Sequence, residues 1–170
     1  TRSFGEVVSD GTPVDPGRCW RFAGDPRALR VRGALAVALD SVGLAGAALD
    51  ATVGYATERH QFGRPIGSFQ AVKHACANVA VELTISRRLV VDAVEQVVAG
   101  APDADVAVSM AKAHAAETAV AATGTALQLH GGIGYTWEHG LHVLLKRAAL
   151  NRSLFGSPSA HRARLARRYG

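Results

Sequence analysis

Hydrophobic and polar positions divide the chain into apolar-periodic stretches separated by glycine and proline. The first follows Asp25-Pro26, a pair in which the aspartate can cap a helix and the proline can take its first position. From Leu29 to about Glu58 the sequence is rich in alanine and leucine and has no internal proline. That predicts a helix of about 30 residues, about 45 Å long. Between Gly33 and Val53 it is apolar nearly all round, so it is expected to be a central helix contacted on several sides.

Gly63-Arg64-Pro65 breaks the pattern. Ser68 is expected to cap a second helix, Phe69 to about Ala99, ended by Gly100-Ala101-Pro102. A third starts at Asp103 or Asp105, runs through Met110, Ala115 and Leu127, and stops at Gly131-Gly132-Ile133-Gly134. Thr136 is expected to cap a fourth from about Glu138 to Ser153, and Ser157-Pro158 opens a short fifth to Arg168. Long helices joined by short loops imply antiparallel neighbours. The fold class is therefore all-α: an up-down antiparallel four-helix bundle plus a short C-terminal helix.

Residues 1–25 read differently. Ser3 to Val8 is β-prone, Ser9-Asp10-Gly11 marks a turn, and Val14 to Phe22 is extended and interrupted by proline. This is expected to be a frayed β-domain remnant ahead of a helical domain of residues 26–170. The chain lacks an initiator methionine, and it is expected to be part of a longer protein.

Composition narrows the function classes. Of 170 residues, 48% are hydrophobic and 19% charged, which excludes a disordered chain. Two cysteines cannot build a disulfide scaffold. The apolar run Gly33 to Ala48 carries Asp40 and is short for a bilayer, so no membrane span is expected. The net charge is +5, and from Lys146 onward there are seven Lys or Arg and no acid. A solvated last helix explains most of that excess, with a phosphate-facing role for one or two residues as the alternative. Nucleic acid is not an expected partner, because no stacking aromatics are interleaved with the basic residues.

Common catalytic motifs are absent. There is no phosphate loop, and no Gly-rich dinucleotide turn follows a strand. Glu138-His139-Gly140-Leu141-His142 has the wrong spacing for a zinc helix. His139 and His142 would share one helix face but lack a third ligand, so no metal site is expected. Gly156-Ser157-Pro158-Ser159 is not a nucleophile elbow. Asp40 and Asp50 read as satisfied structural acids.

Two segments stand out. In Tyr55-Ala-Thr-Glu-Arg59-His-Gln61-Phe62-Gly63-Arg-Pro65-Ile-Gly-Ser-Phe69-Gln70, Arg59 offers planar donors that suit a pyrophosphate. Phe62 can cover a ring, and Gln61 and Gln70 can bond polar edges. In Gln128-Leu-His130-Gly131-Gly132-Ile-Gly134-Tyr135, the glycines allow close approach of a ligand to the backbone.

Together, in this order, the two segments resemble the C-terminal α-helical domain of the acyl-CoA dehydrogenases, over about Pro26 to Arg168. The resemblance implies oxidation of an acyl-CoA substrate at Cα–Cβ with FAD as hydride acceptor. It also implies a homo- or hetero-oligomer in which these helices bind a neighbour's FAD. An electron-accepting flavoprotein as partner and a cytoplasmic location are implied likewise. Carried over, Arg59 would meet the FAD pyrophosphate, with Gln61 and Phe62 against the same cofactor and Gln70 a further polar contact. Gln128, Gly131 and Gly132 would touch its adenosine diphosphate.

The departure is at the catalytic base. The family carries a glutamate just before the last helix, and the same stretch here is Leu154-Phe155-Gly156-Ser157. Phe155 takes the glutamate position. Other members carry the base near the start of the domain's first long helix, a place that falls on Gly33. Neither side chain can accept a proton, as general base catalysis requires. The pattern resembles the non-catalytic subunit of heteromeric acyl-CoA dehydrogenases of actinobacterial sterol degradation. Asp40 as a different base, and a flavin-free assembly module, are the alternatives.

Overall fold

The computed structural model describes residues 5, 6, 8–20, 23–137 and 139–169. Five α-helices account for most of them: α1 Pro26–Glu58, α2 Gln70–Val98, α3 Ala104–His130, α4 Leu141–Ser153 and α5 Pro158–Tyr169. The only sheet among the described residues is a two-stranded ladder, β1 His60–Gln61 with β2 Arg64–Pro65. The all-α bundle expected from the sequence is the fold observed.

The start of α1 follows its sequence signal. The Asp25 side chain accepts from the Arg27 backbone N–H at 2.8 Å, and Pro26 takes the first turn, where its missing N–H costs nothing. Two other caps differ from expectation. Ser68 closes a 3-10 turn over Ile66–Ser68, and its hydroxyl donates back to the Pro65 carbonyl at 2.7 Å, so α2 starts at Gln70 without a side-chain cap. Thr136 likewise donates to the Ile133 carbonyl at 2.9 Å, and α4 starts only at Leu141, after left-handed Gly140. In both places a 3-10 turn consumes the hydroxyl that a helix start would have used. The fourth helix is accordingly short, 13 residues against 33, 29 and 27 for the first three.

The centre of the bundle is α3, not α1. It packs against α1, α2, α4 and α5. Its alanines Ala111, Ala115, Ala116, Ala119, Ala122 and Ala126 are all buried, which lets neighbouring backbones approach. Helix α1 buries Ala34, Leu35, Ala38, Leu44, Ala45 and Ala48 but leaves Leu39 and Val53 about half exposed. Its all-round apolarity is thus split between a packed face and an open one. By length and composition alone α1 is apolar enough to cross a membrane, yet half of its most apolar window is packed within the bundle.

Of the residues before α1, the described ones pair in no strand and are exposed, with one 3-10 turn at Pro16–Arg18 capped by Asp15. The expectations for Thr1–Phe4, Val7, Arg21 and Phe22 lie outside the described residues.

Candidate functional site

The first singled-out segment builds a pinned hairpin at the end of α1. The Arg59 N–H closes the helix on the Tyr55 carbonyl at 2.8 Å. His60 then pairs with Pro65, and Gln61 with Arg64. The turn residues Phe62 (φ 53°) and Gly63 (φ 76°) are both left-handed, the twist that two-residue hairpins favour. For phenylalanine that backbone is costly and persists only where its surroundings enforce it. Here the Ile66 N–H donates to the Arg59 carbonyl at 2.8 Å. A Cβ on Gly67 would lie 2.9 Å from the Ala56 carbonyl oxygen, so only glycine lets the chain rest on α1. The Arg64 guanidinium lies 4.2 Å over the Phe69 ring, and Phe62 meets that ring edge-on at 6.1 Å. The result is a Phe62 ring 91% exposed on a fixed tip. Arg59, Gln61 and Gln70 are exposed beside it in sequence, and among the described residues Arg59 makes no ion pair.

The second segment meets the first through aromatic rings. His130, buried at the end of α3, donates from Nδ1 to the Ala126 carbonyl at 2.7 Å and stacks on Tyr55 at 4.3 Å. Burial pushes the His130 pKa below its usual value. His139 packs edge-on against both rings, at 4.5 and 6.2 Å. His139 precedes α4, so it does not share a helix face with His142, which packs on Trp137 at 4.5 Å instead. Past His130 the chain turns at Gly131 (φ 61°, ψ −142°), a conformation that glycine alone adopts readily. Gln128, Gly131 and Gly132 are exposed, and a Cβ on either glycine would meet nothing within 4 Å.

This end of the bundle therefore offers an exposed guanidinium, an exposed ring on a rigid tip, side-chain amides and open glycine backbone. That donor set suits a large planar group carrying a pyrophosphate, so the residues present fit FAD.

Positions 155 and 33, where the sequence resemblance would place a base, come together elsewhere. Phe155 (φ 55°) and Phe62 are the only non-glycine residues with positive φ among the described ones. The Phe155 ring lies over Gly33: a Cβ there would sit 2.3 Å from a ring carbon. Neither position holds a carboxylate. Asp40, the alternative base, has both oxygens engaged. Arg147 grips it with Nε, at 2.9 Å, and with Nη2, while Asn151 donates to it at 2.6 Å. Arg162 pairs two-pronged with Glu117, whose carboxyl it holds below the usual range.

Two groups at this turn escaped the sequence reading. The Lys112 ammonium, fully buried in mid-α3, donates to the Gly156 carbonyl at 3.1 Å. His161, on α5 and also buried, has Nε2 3.1 Å from the Phe155 carbonyl. Burial lowers both pKa values, Lys112 to about 8. The available signal was a lysine spaced four residues from Val108 and Ala116 inside an alanine-rich run.

Comparison with known proteins gives a consistent result. The sequence profile of the acyl-CoA dehydrogenase C-terminal domain matches residues 31–170. Acyl-CoA dehydrogenase IpdE2 of Mycolicibacterium smegmatis is 39% identical over 165 residues, 97% of this chain and 49% of that protein. The ChsE4–ChsE5 complex from Mycobacterium tuberculosis superposes with a TM-score of 0.78 at 29% identity, over 82% of this chain and 38% of the matched one. Butyryl-CoA dehydrogenase from Megasphaera elsdenii gives a TM-score of 0.75 at 30% identity, over 78% and 34%. The chain thus spans half or less of the length of these relatives. It belongs to the acyl-CoA dehydrogenases, a family of FAD-dependent oxidoreductases, and matches their C-terminal helical domain.

Proposed function

We propose that this chain is the FAD-interface domain of an acyl-CoA dehydrogenase-type subunit that lacks the proton-abstracting carboxylate. It would serve as the non-catalytic partner in a cytoplasmic hetero-oligomer acting on an acyl-CoA thioester, with electrons passing on to an accepting flavoprotein. FAD, when bound, supplies the hydride acceptor. Arg59 neutralises its pyrophosphate, and Phe62 covers an apolar part of it. Gln61 and Gln70 bond polar edges, and Gln128 with the Gly131–Gly132 backbone borders the adenosine diphosphate.

The observation that carries the non-catalytic reading is the Phe155 ring seated on Gly33. One contact fills both places where a base would stand, with groups that cannot take a proton. The ChsE4–ChsE5 match, to a complex of two different chains, supports a paired arrangement. Asp40 is a poor alternative, because a carboxylate held by a two-pronged arginine and an amide is not free to approach a substrate α-carbon.

The test uses the full-length subunit, assembled alone and with a partner subunit that carries the carboxylate. Acyl-CoA thioesters and an electron acceptor are supplied to each. Turnover by the mixed assembly and none by the homomer is expected; equal turnover by both would refute the reading. Arg59→Ala in the full-length protein is expected to lose FAD during purification, and unchanged flavin content would remove Arg59 from the site.

A further inference from the structure

The Leu154–Ser157 turn carries two backbone conformations that need explaining. Phe155 is left-handed without being glycine (φ 55°), and Gly156 has φ 106°. Two buried side chains reach it, one from the distant α3 and one from α5, the helix that follows the turn. Lys112, from the middle of α3, donates to the Gly156 carbonyl, and His161, from α5, meets the preceding carbonyl, that of Phe155, both at 3.1 Å.

Both side chains are almost wholly inaccessible, 0% and 2% exposed. Burying an ammonium is expensive and is normally offset by a carboxylate. Among the described residues no acid lies within ion-pair distance of Lys112. The ammonium is thus spent on one backbone carbonyl of the turn. The fit is close on the His161 side as well: a Cβ on Gly156 would lie 3.0 Å from His161 Nε2. Gly156 therefore admits the imidazole as well as supplying the φ.

We propose that Lys112 and His161 are positioning residues that fix the backbone of this turn and thereby hold the side chain of residue 155 over Gly33. Each acts through the turn, not on substrate. The pair fixes where residue 155 stands, and the side chain at 155 then decides what is presented there: a ring in this chain, a carboxylate in a chain that had one. This holds for the geometry of the turn whether or not the homomer proves inactive.

The experiment reads the turn directly. Amide hydrogen exchange, followed by mass spectrometry, is measured on the full-length assembly for peptides covering residues 150–160. Lys112→Met and His161→Leu are compared with wild type and with Val108→Ala, a truncation of the same buried helix. Loss of one hydrogen bond is expected to speed exchange in the turn about three- to tenfold, with α1 and α2 unchanged. Val108→Ala is expected to leave the turn as in wild type. His161→Gln, which keeps a donor, is expected to retain protection.

A second measurement covers a variant that folds poorly. If the ring is held in place, Gly33→Ala lowers the Tm in the wild-type background. With the turn freed by Lys112→Met or His161→Leu, the ring can move aside and that loss shrinks. Unchanged exchange at residues 150–160 in both donor-removing variants would overturn the proposal. So would a Tm loss from Gly33→Ala that is the same in every background.

Discussion

Gly33 and Phe155 are 122 positions apart in sequence order, yet one is shaped by the other. Glycine inside a helix costs about 1 kcal/mol relative to alanine, so its presence in α1 calls for a packing reason. The ring over it supplies one. Forcing a methyl against the ring costs about 1–3 kcal/mol, towards the upper end where the turn holds Phe155 in place. Gly33→Ala alone is therefore expected to be destabilising. In a Phe155→Ala background the clash is gone, and the same substitution should stabilise by about 0.5–1 kcal/mol. A double-mutant cycle by denaturant unfolding checks that reversal of sign. Asp40→Asn removes charge-assisted bonds from Arg147 and is expected to cost about 1.5–3 kcal/mol by the same unfolding method, an effect on folding and not on chemistry.

The buried bases also set a pH dependence at this scale. Lys112 titrates at about 8 in the fold, against an ordinary value of 10.5. Between those values the unfolded chain binds more protons than the folded one, so stability rises with pH across that window. Lys112→Met should flatten this rise, as measured by urea midpoints from pH 7.5 to 10. His130 and His161 are shifted downward as well. Their contribution is therefore lost as pH falls below the ordinary histidine value towards their folded ones.

Among the elements, what the sequence made legible depended on how many residues shared the signal. The breaks at Gly100-Pro102 and Gly131-Gly134 and the Asp25-Pro26 start each rest on two or more residues with one backbone preference, and each lies where expected. Ser68 and Thr136 were single polar residues before apolar runs, and a 3-10 turn took both hydroxyls. The hairpin of β1 and β2 was not legible, because Phe62-Gly63 is not an Asn-Gly or Asp-Gly signal; its turn is held by contacts with α1 and Phe69. Arg59, Phe62 and the Gln128–Gly132 stretch could be singled out by residue type, but not the Tyr55–His130 stack that joins their elements. Lys112 was hidden for a different reason: a lysine in a helical pattern reads as surface until its helix is known to be central. Asp25→Ala is expected to cost about 1 kcal/mol, seen as a lower urea midpoint; no change would show that Pro26 alone defines the start of α1.

For the whole molecule, the open faces matter as much as the packed ones. Leu39 and Val53 on α1 and Val81, Ile85 and Val91 on α2 are each 42–58% exposed. Apolar exposure spread along two of the three longest helices suits burial against further protein. Light scattering of the full-length protein is expected to give an oligomer, and a monomer at high concentration would contradict that.

Whether this chain brings a base to the acyl site is tested most directly by the reductive half-reaction. The full-length homomer, loaded with FAD, is mixed anaerobically with saturating acyl-CoA thioesters of several chain types while the flavin absorbance is followed. Loss of a positioned base typically slows proton abstraction about 10²–10⁴-fold. The flavin band is therefore expected to stay oxidised on the timescale in which a mixed assembly bleaches. Rapid bleaching by the homomer would contradict the account and show that a proton acceptor other than residue 33 or 155 serves the site.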